Sequence, residues 1–356
     1  MIPSEIWWNY VPAGVSVKEN IVQQLMEGRC VLLDTSRLPW DTELLNNVQT
    51  DVELADAELN WNEIDAEESI GNKPINYLGS FYGVDQIPVE KMIQQKLRSL
   101  HSCCWVRNIP ENESQAWIQM AKELFSGREK QSFRLVLELP STPVRGIGKV
   151  AVIDTRIERF DIYYFALSVL ASGRLGKNFQ EYAATLCSEL ADGNVEFCYT
   201  LCKNIDNVLR DPLSACRASG DDSQQKQLVC RAQTRSISPL IDIGRLKLIS
   251  IFGTRIASIL PQKDDYGTEI DDVNEVELRH LVYFSRNDLL PITPKEKEVL
   301  YSLYNARNAI SHLNLLSYDE IQKLFIIFAV WWIPSRRRCL HMSSRRAAVQ
   351  YNGVSK

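Results

Sequence analysis

The sequence predicts two structural classes in series, an α/β N-terminal half on a mostly parallel sheet and an all-helical C-terminal half. Three observations predict it. Short apolar runs alternate with amphipathic helical segments up to about residue 170. After Gly173 only helical spacing remains. The chain of 356 residues, 45% hydrophobic and 24% charged, is long enough to bury a core in each half.

The elements follow in order. Ile21, Val22, Leu25 and Met26 place a helix over Val17–Gly28, and Cys30–Leu33 reads as a buried strand. Helices are expected over Val89–Leu100, Glu113–Phe125 and Phe160–Leu170, and strands over Cys104–Ile109, Phe133–Leu139 and Val150–Ile153. Between the first strand and these, residues 41–72 hold ten acidic side chains and no Lys or Arg, which reads as a solvated, partly irregular excursion. The other reading is an acidic surface that docks a basic partner or the chain's own Arg-rich tail.

Helices are expected over Asn178–Leu190 and Asn194–Leu209, with Asp211-Pro212 as a stop, and over Gln224–Leu260, interrupted at Pro239. Two capping boxes mark the best-defined starts, Thr293-Pro294-Lys295-Glu296 and Ser317-Tyr318-Asp319-Glu320. In the first helix Val299, Leu303, Ala306, Ile310 and Leu313 share a face; in the second Ile321, Leu324, Phe325, Phe328 and Trp332 do.

The net charge of −5 provides no global basic field for nucleic acid, so such a partner needs a local patch. The tail with Arg336-Arg337-Arg338 and Arg345-Arg346 is read as solvated. The longest apolar run, Leu324–Ile333, falls short of the roughly 20 residues a bilayer requires. The first residues lack a secretory pattern, and nine irregularly spaced cysteines fit reduced core thiols. A cytoplasmic protein with no membrane partner is expected.

A phosphate loop is absent. The nearest fragment, Gly146-Ile147-Gly148-Lys149, has Pro143 where the first Gly belongs and Val150 where the magnesium-binding hydroxyl belongs, so a turn between strands is expected. Cys198 and Cys202 at i, i+4 and the adjacent Cys103-Cys104, with only His101 near, make a zinc site less apt than core thiols. No thiol is marked as a nucleophile. No cofactor and no metal are expected.

One segment carries chemistry, Arg307-Asn308-Ala309-Ile310-Ser311-His312. A metal-free ribonuclease requires a base for the ribose 2′-hydroxyl, which His supplies near neutral pH, and a cation for the developing phosphorane charge, which Arg supplies. A second match to the same spacing, Arg336 to His341, lies in the tail. At about 100° per residue Arg307 lies near 80° from the apolar face, Asn308 near 180° and His312 near 220°. Arg307 and His312 are then about 140° apart. A site requires a helix end near Ser311, or two copies of the segment facing each other in a dimer. The competing reading is a polar solvent face that contains Arg and His.

The stretch Tyr304-Asn305-Ala306-Arg307-Asn308-Ala309-Ile310-Ser311-His312, followed by a short loop and a capped helix, resembles the HEPN superfamily of helical nucleases and nucleotide-binding domains. That resemblance implies catalytic roles for Arg307 and His312 and a supporting one for Asn308. Arg231-Ala232-Gln233, Ile237 to Asp242, Leu260-Pro261 and Glu275 to Leu281 resemble the C-terminal part of bacterial phage-defence proteins whose α/β half is a degenerate NTPase-like module. The implied organisation is a degenerate NTPase-like module over 1–172, a helical connector over 173–230, a HEPN-like domain over 231–335 and a basic tail over 336–356. The implied function is metal-independent cleavage of RNA, with tRNA one candidate substrate, by a homo-oligomeric antiviral effector or effector-associated subunit. The alternative is a non-catalytic adaptor that binds other defence-system proteins and dimerises through its helical half.

Overall fold

Prolines in the first turn start the first two helices, α1 (Pro3–Tyr10) and α2 (Pro12–Met26), where a missing N–H costs nothing. Gly14 lets them touch. A Cβ there would stand 2.3 Å from the carbonyl oxygen of Trp7, so any larger residue would force the helices apart. This computed structural model describes residues 2–84, 89–126, 131–141, 148–171, 173, 175–216, 222–263 and 266–332. The tail arginines Arg336, Arg337, Arg338, Arg345 and Arg346, and His341, lie outside the described residues.

Five strands and further helices follow: β1 (Cys30–Asp34), α3 (Asp41–Ala55), β2 (Asn60–Asp65), α4 (Pro74–Phe81), α5 (Glu90–Arg98), β3 (Ser102–Arg107), α6 (Ser114–Leu124), β4 (Arg134–Leu139), β5 (Val150–Val152) and α7 (Arg159–Leu170). The strands form one parallel sheet in the order β2-β3-β4-β1-β5. Parallel strands need crossover helices, and these cover both faces, which is why β1, β3 and β4 read as nearly continuous apolar runs. On one face Cys30, Leu32, Cys104, Val106, Leu135 and Leu137 pack with Leu78 of α4, Ile93 and Leu97 of α5, and Trp117, Ala121 and Leu124 of α6.

The acid-rich stretch 41–72 is more regular than its composition suggests. It holds α3, whose Leu44, Leu45, Val48 and Val52 are buried, and β2, an edge strand with mostly exposed or half-buried side chains. Several of its carboxylates are used within the fold: Asp51 pairs with Lys18 at 3.4 Å, Asp56 with Arg134 at 2.9 Å and His101 at 3.1 Å, and Asp41 and Glu63 with Arg107.

By backbone proximity the chain divides into two compact units, residues 1–173 with 191–203, and 174–190 with 204–356. The stretch read as a connector is therefore shared between them: α9 (Val195–Lys203) belongs to the first unit, while α8 (Lys177–Ala191), but for its last residue, and α10 (Ile205–Arg210) belong to the second. The single helix expected over Asn194–Leu209 is broken at Asn204, whose φ of −106° and ψ of 28° are not helical.

The second unit is built on α11 (Asp222–Ile259), which runs through Pro239 without the expected interruption. Pro239 is exposed, so the helix carbonyl left without its N–H donor stays near solvent. Beyond α11 come α12 (Leu278–Arg286), α13 (Pro294–Ser311) and α14 (Tyr318–Trp332). Two two-residue strands, β6 (Gln262–Lys263) and β7 (Glu269–Ile270), pair antiparallel, so this unit is not purely helical as expected. Gly244 of α11 lies against Leu303 of α13 and Phe328 of α14. Phe179 and Tyr182 of α8 stack on Phe325 of α14 at 5.1 and 6.2 Å. The buried carboxylate of Glu189 on α8 pairs with Arg231 and Arg235 of α11.

Candidate functional site

The candidate segment closes α13, and both ends of that helix have a physical cause. At the start Thr293 accepts from the Glu296 N–H at 3.3 Å, and Glu296 accepts from the Thr293 N–H at 2.7 Å, with Pro294 in the first turn. At the end His312 is the cap residue. Its N–H donates to the carbonyls of Asn308 and Ala309, Leu313 N–H donates to Ile310 O at 3.1 Å, and Asn314 N–H donates to Ala309 O at 2.9 Å. This is the reverse-turn cap in which the second residue past the cap bonds back into the last turn, and Leu313 takes the left-handed position at φ 55° that glycine usually fills.

The helix end at Ser311 is one of the two conditions under which Arg307 and His312 can serve one site. Leu313, expected on the apolar face, lies beyond the end and is 65% exposed. Arg307 and His312 are exposed, Asn308 is half-buried, and all three line a single cleft of about 650 Å³ within the second unit. Arg307 Nη1 donates to Asn308 Oδ1 at 3.4 Å, a weak contact that biases the guanidinium toward Asn308. Among the described residues Arg307 meets no carboxylate.

The opposite wall belongs to α12, with Arg279, Tyr283, Arg286 and Asn287 at i, i+4, i+7 and i+8 on one helical face. Tyr266 and Tyr304 complete the aromatic lining, and His280 contributes its edge while accepting the Glu277 N–H at Nδ1. Among the described residues no Asp or Glu lines the cleft, while Glu277 beside it pairs with Arg279 at 3.1 Å. The sequence motif contains none of these α12 residues. Their i, i+4, i+7 spacing was the signal available, although without the fold nothing relates that face to α13.

In the first unit, an α/β sheet of this kind binds ligands beyond the carboxyl ends of its strands where the strand order reverses, here beside β1. That place is filled with the chain's own charges. Asp34 at the end of β1 accepts from Ser36 N and Oγ at 2.9 and 2.6 Å, and Glu196 accepts from Trp40 N–H at the start of α3 at 3.4 Å. Asp41 and Glu43 occupy the first turn of α3, where a phosphate would otherwise sit on free N–H groups. Arg107 at the end of β3 meets Asp41, Glu63 and Glu138 at 3.3, 3.2 and 3.4 Å, and Trp105 Nε1 donates to Glu138 at 2.6 Å. Pro143 and, of the Gly146–Lys149 fragment, Gly146 and Ile147 lie outside the described residues; Gly148, at φ 66°, and Lys149 form a turn leading into β5.

Cys30, Cys103, Cys104, Cys187, Cys198 and Cys202 are buried. Burial pushes the Cys104 thiol up to about 12 and the Cys30 and Cys103 thiols well above the usual range, which suppresses thiolate chemistry. Among the described residues no group of three or more His, Cys, Asp or Glu side chains is arranged to hold a metal, and no helix is long and apolar enough to cross a membrane. No protein-family model matches this chain, and no curated protein matches its sequence.

Proposed function

We propose that the cleft between α12 and α13 is a metal-independent RNA-cleaving site. The observation that carries this reading is a single cleft lined together by Arg307, Asn308 and His312 with two further arginines. His312 takes the proton of a ribose 2′-hydroxyl, whose oxygen attacks the adjacent phosphorus. Arg307, biased by Asn308, neutralises the charge that builds on the non-bridging oxygens. The bond from phosphorus to the 5′-oxygen breaks, that oxygen takes a proton from solvent, and a 2′,3′-cyclic phosphate remains. The resemblance to HEPN nucleases and to phage-defence proteins supports placing this chemistry in an antiviral effector or effector-associated subunit acting on RNA as a homo-oligomer, tRNA being one candidate substrate. In that reading the first unit is an NTPase-like module without nucleotide chemistry that contacts partner defence proteins.

A second reading, a non-catalytic adaptor, is favoured by one observation. His312 is exposed, and among the described residues no side chain hydrogen-bonds its ring, so nothing within one copy fixes the tautomer a base requires. Labelled tRNA or total RNA incubated with purified protein in EDTA separates the two. Cleavage lost in His312→Ala and Arg307→Ala supports the nuclease; intact RNA with wild-type protein leaves the adaptor.

A further inference from the structure

β2 is an edge strand of the first unit's sheet, paired on one side only, with β3. The Asn60 N–H donates to His101 O at 3.1 Å, so in this parallel ladder the N–H and C=O groups of Asn60, Asn62 and Ile64 turn toward β3. Those of Trp61, Glu63 and Asp65 turn outward. Tyr77 Oη donates to Asp65 O at 3.1 Å and closes one end of that outer row. Among the described residues the backbone N–H and C=O groups of Trp61 and Glu63 meet no partner. They stand open at the spacing that an added strand reads.

The side chains along this edge define what such a strand must carry. Trp61, Glu63 and Asp65 share one face, on which Trp61, half-buried, packs against Trp105 at 5.9 Å between ring centroids. Glu63 is 45% exposed beyond its pair with Arg107. Glu58 precedes the strand and Glu67 and Glu68 follow it, and among the described residues none of these three, nor Asp65, pairs with a cation. Residues 41–72 contain no Lys or Arg. A second copy of β2 would bring Glu63 and Asp65 against like charge, so this edge refuses itself. A strand with Lys or Arg at every second position would set its cations beside Glu63 and Asp65 and supply the missing backbone partners.

We infer that the open edge of β2 docks an extended, basic segment of a partner protein, which joins the sheet as a sixth strand. The backbone groups of Trp61 and Glu63 supply bonds that any strand can make, and the carboxylates of Glu58, Glu63, Asp65 and Glu67 select a basic one. This docking is independent of whether the cleft between α12 and α13 cleaves RNA.

The test titrates the full chain, by anisotropy, against a fluorescein-labelled, end-capped peptide of alternating Lys and Thr, about ten residues long. Binding should weaken with added salt, and an alternating Glu and Thr peptide of the same length should not bind. N-methylation of every Lys, or of every Thr, keeps the charge and removes one row of N–H groups. One of the two peptides should bind at least about tenfold more weakly, the Thr-methylated one if the added strand is parallel to β2 and the Lys-methylated one if it is antiparallel. Glu58→Lys combined with Glu67→Lys, both at exposed positions, should weaken binding about fivefold or more. Hydrogen exchange at the Trp61 and Glu63 amides should slow about tenfold or more at saturating peptide. No binding of the Lys and Thr peptide, equal affinity of both N-methylated peptides and their parent, or unchanged exchange at Trp61 and Glu63 would each overturn the inference. So would protection of those two amides in the chain alone, since the edge would then be covered by the chain itself or by a second copy.

Discussion

Gln233 on α11 and the backbone of Leu316 exchange two hydrogen bonds, Gln233 Nε2 donating to Leu316 O at 2.9 Å and Leu316 N–H donating to Gln233 Oε1 at 2.8 Å. Both residues are buried. The pair pins the loop that leaves α13 at His312, and one turn earlier Cys230 Sγ donates to Leu313 O at 3.5 Å. Gln233→Leu keeps the volume but strands a buried N–H and a buried C=O, a loss of about 2–4 kcal/mol. Urea melts should show that loss. A variant as stable as wild type would mean that the loop is not held through Gln233.

Leu313 is strained where Gln233 is relaxed. A non-glycine residue in the left-handed region costs about 1–2 kcal/mol, and Leu313 is too exposed for burial to offset much of it. Leu313→Gly should therefore stabilise the chain by about 0.5–1 kcal/mol after the extra unfolded-state entropy of glycine is subtracted. Destabilisation would show that the cap at His312 is not built as described.

ATP should be neither hydrolysed nor stabilising. Asp34, Asp41, Glu43 and Glu196 crowd the carboxyl end of β1 and the start of α3, where a triphosphate would place like charge. Phosphate release should stay at background, and millimolar ATP with magnesium should leave the melting temperature unchanged. Release above background that Lys149→Ala abolishes would overturn this.

The first unit should tolerate mild acid. The Asp56 carboxyl is held below its ordinary range first by the hydrogen bond with His101 and, against some desolvation, by Arg134. Its contribution is present above the unfolded value of about 3.9 and is lost as pH falls through the lower folded value. Glu138 behaves oppositely. Burial raises its carboxyl, partly offset by Trp105 and Arg107, so ionisation costs stability and that cost is relieved as pH falls toward the unfolded value of about 4.3. Urea midpoints should hold or rise slightly from about pH 7 to about pH 5 and fall below about pH 4. Glu138→Gln should flatten the rise. A steady decline from pH 7 to 5 would contradict the Glu138 assignment, and no loss below about pH 4 would contradict that of Asp56.

The sequence marks some of these features and hides others for identifiable reasons. Central strands β1, β3 and β4 are buried on both faces and so show as apolar runs, whereas β2, on the sheet edge, is mostly polar and is masked by the surrounding acids. The start of α13 is written in Thr293, Pro294 and Glu296. Its end is not, because Leu313 rather than glycine takes the left-handed position. The composition of α12 does not disclose which wall it faces, so Arg279, Tyr283 and Arg286 could be placed only once the fold brought that face opposite Arg307.

The central claim is that His312 is the base of a metal-free RNA-cleaving site. It is tested most directly by the cleavage of labelled tRNA or total RNA in EDTA by wild type, His312→Ala and His341→Ala. Because His312 is exposed at a helix end, its replacement should change stability by no more than about 0.5 kcal/mol. Cleavage should nevertheless fall by a factor of about 10² or more, while the tail variant His341→Ala keeps wild-type activity. A folded His312→Ala protein that cleaves as fast as wild type would contradict the claim.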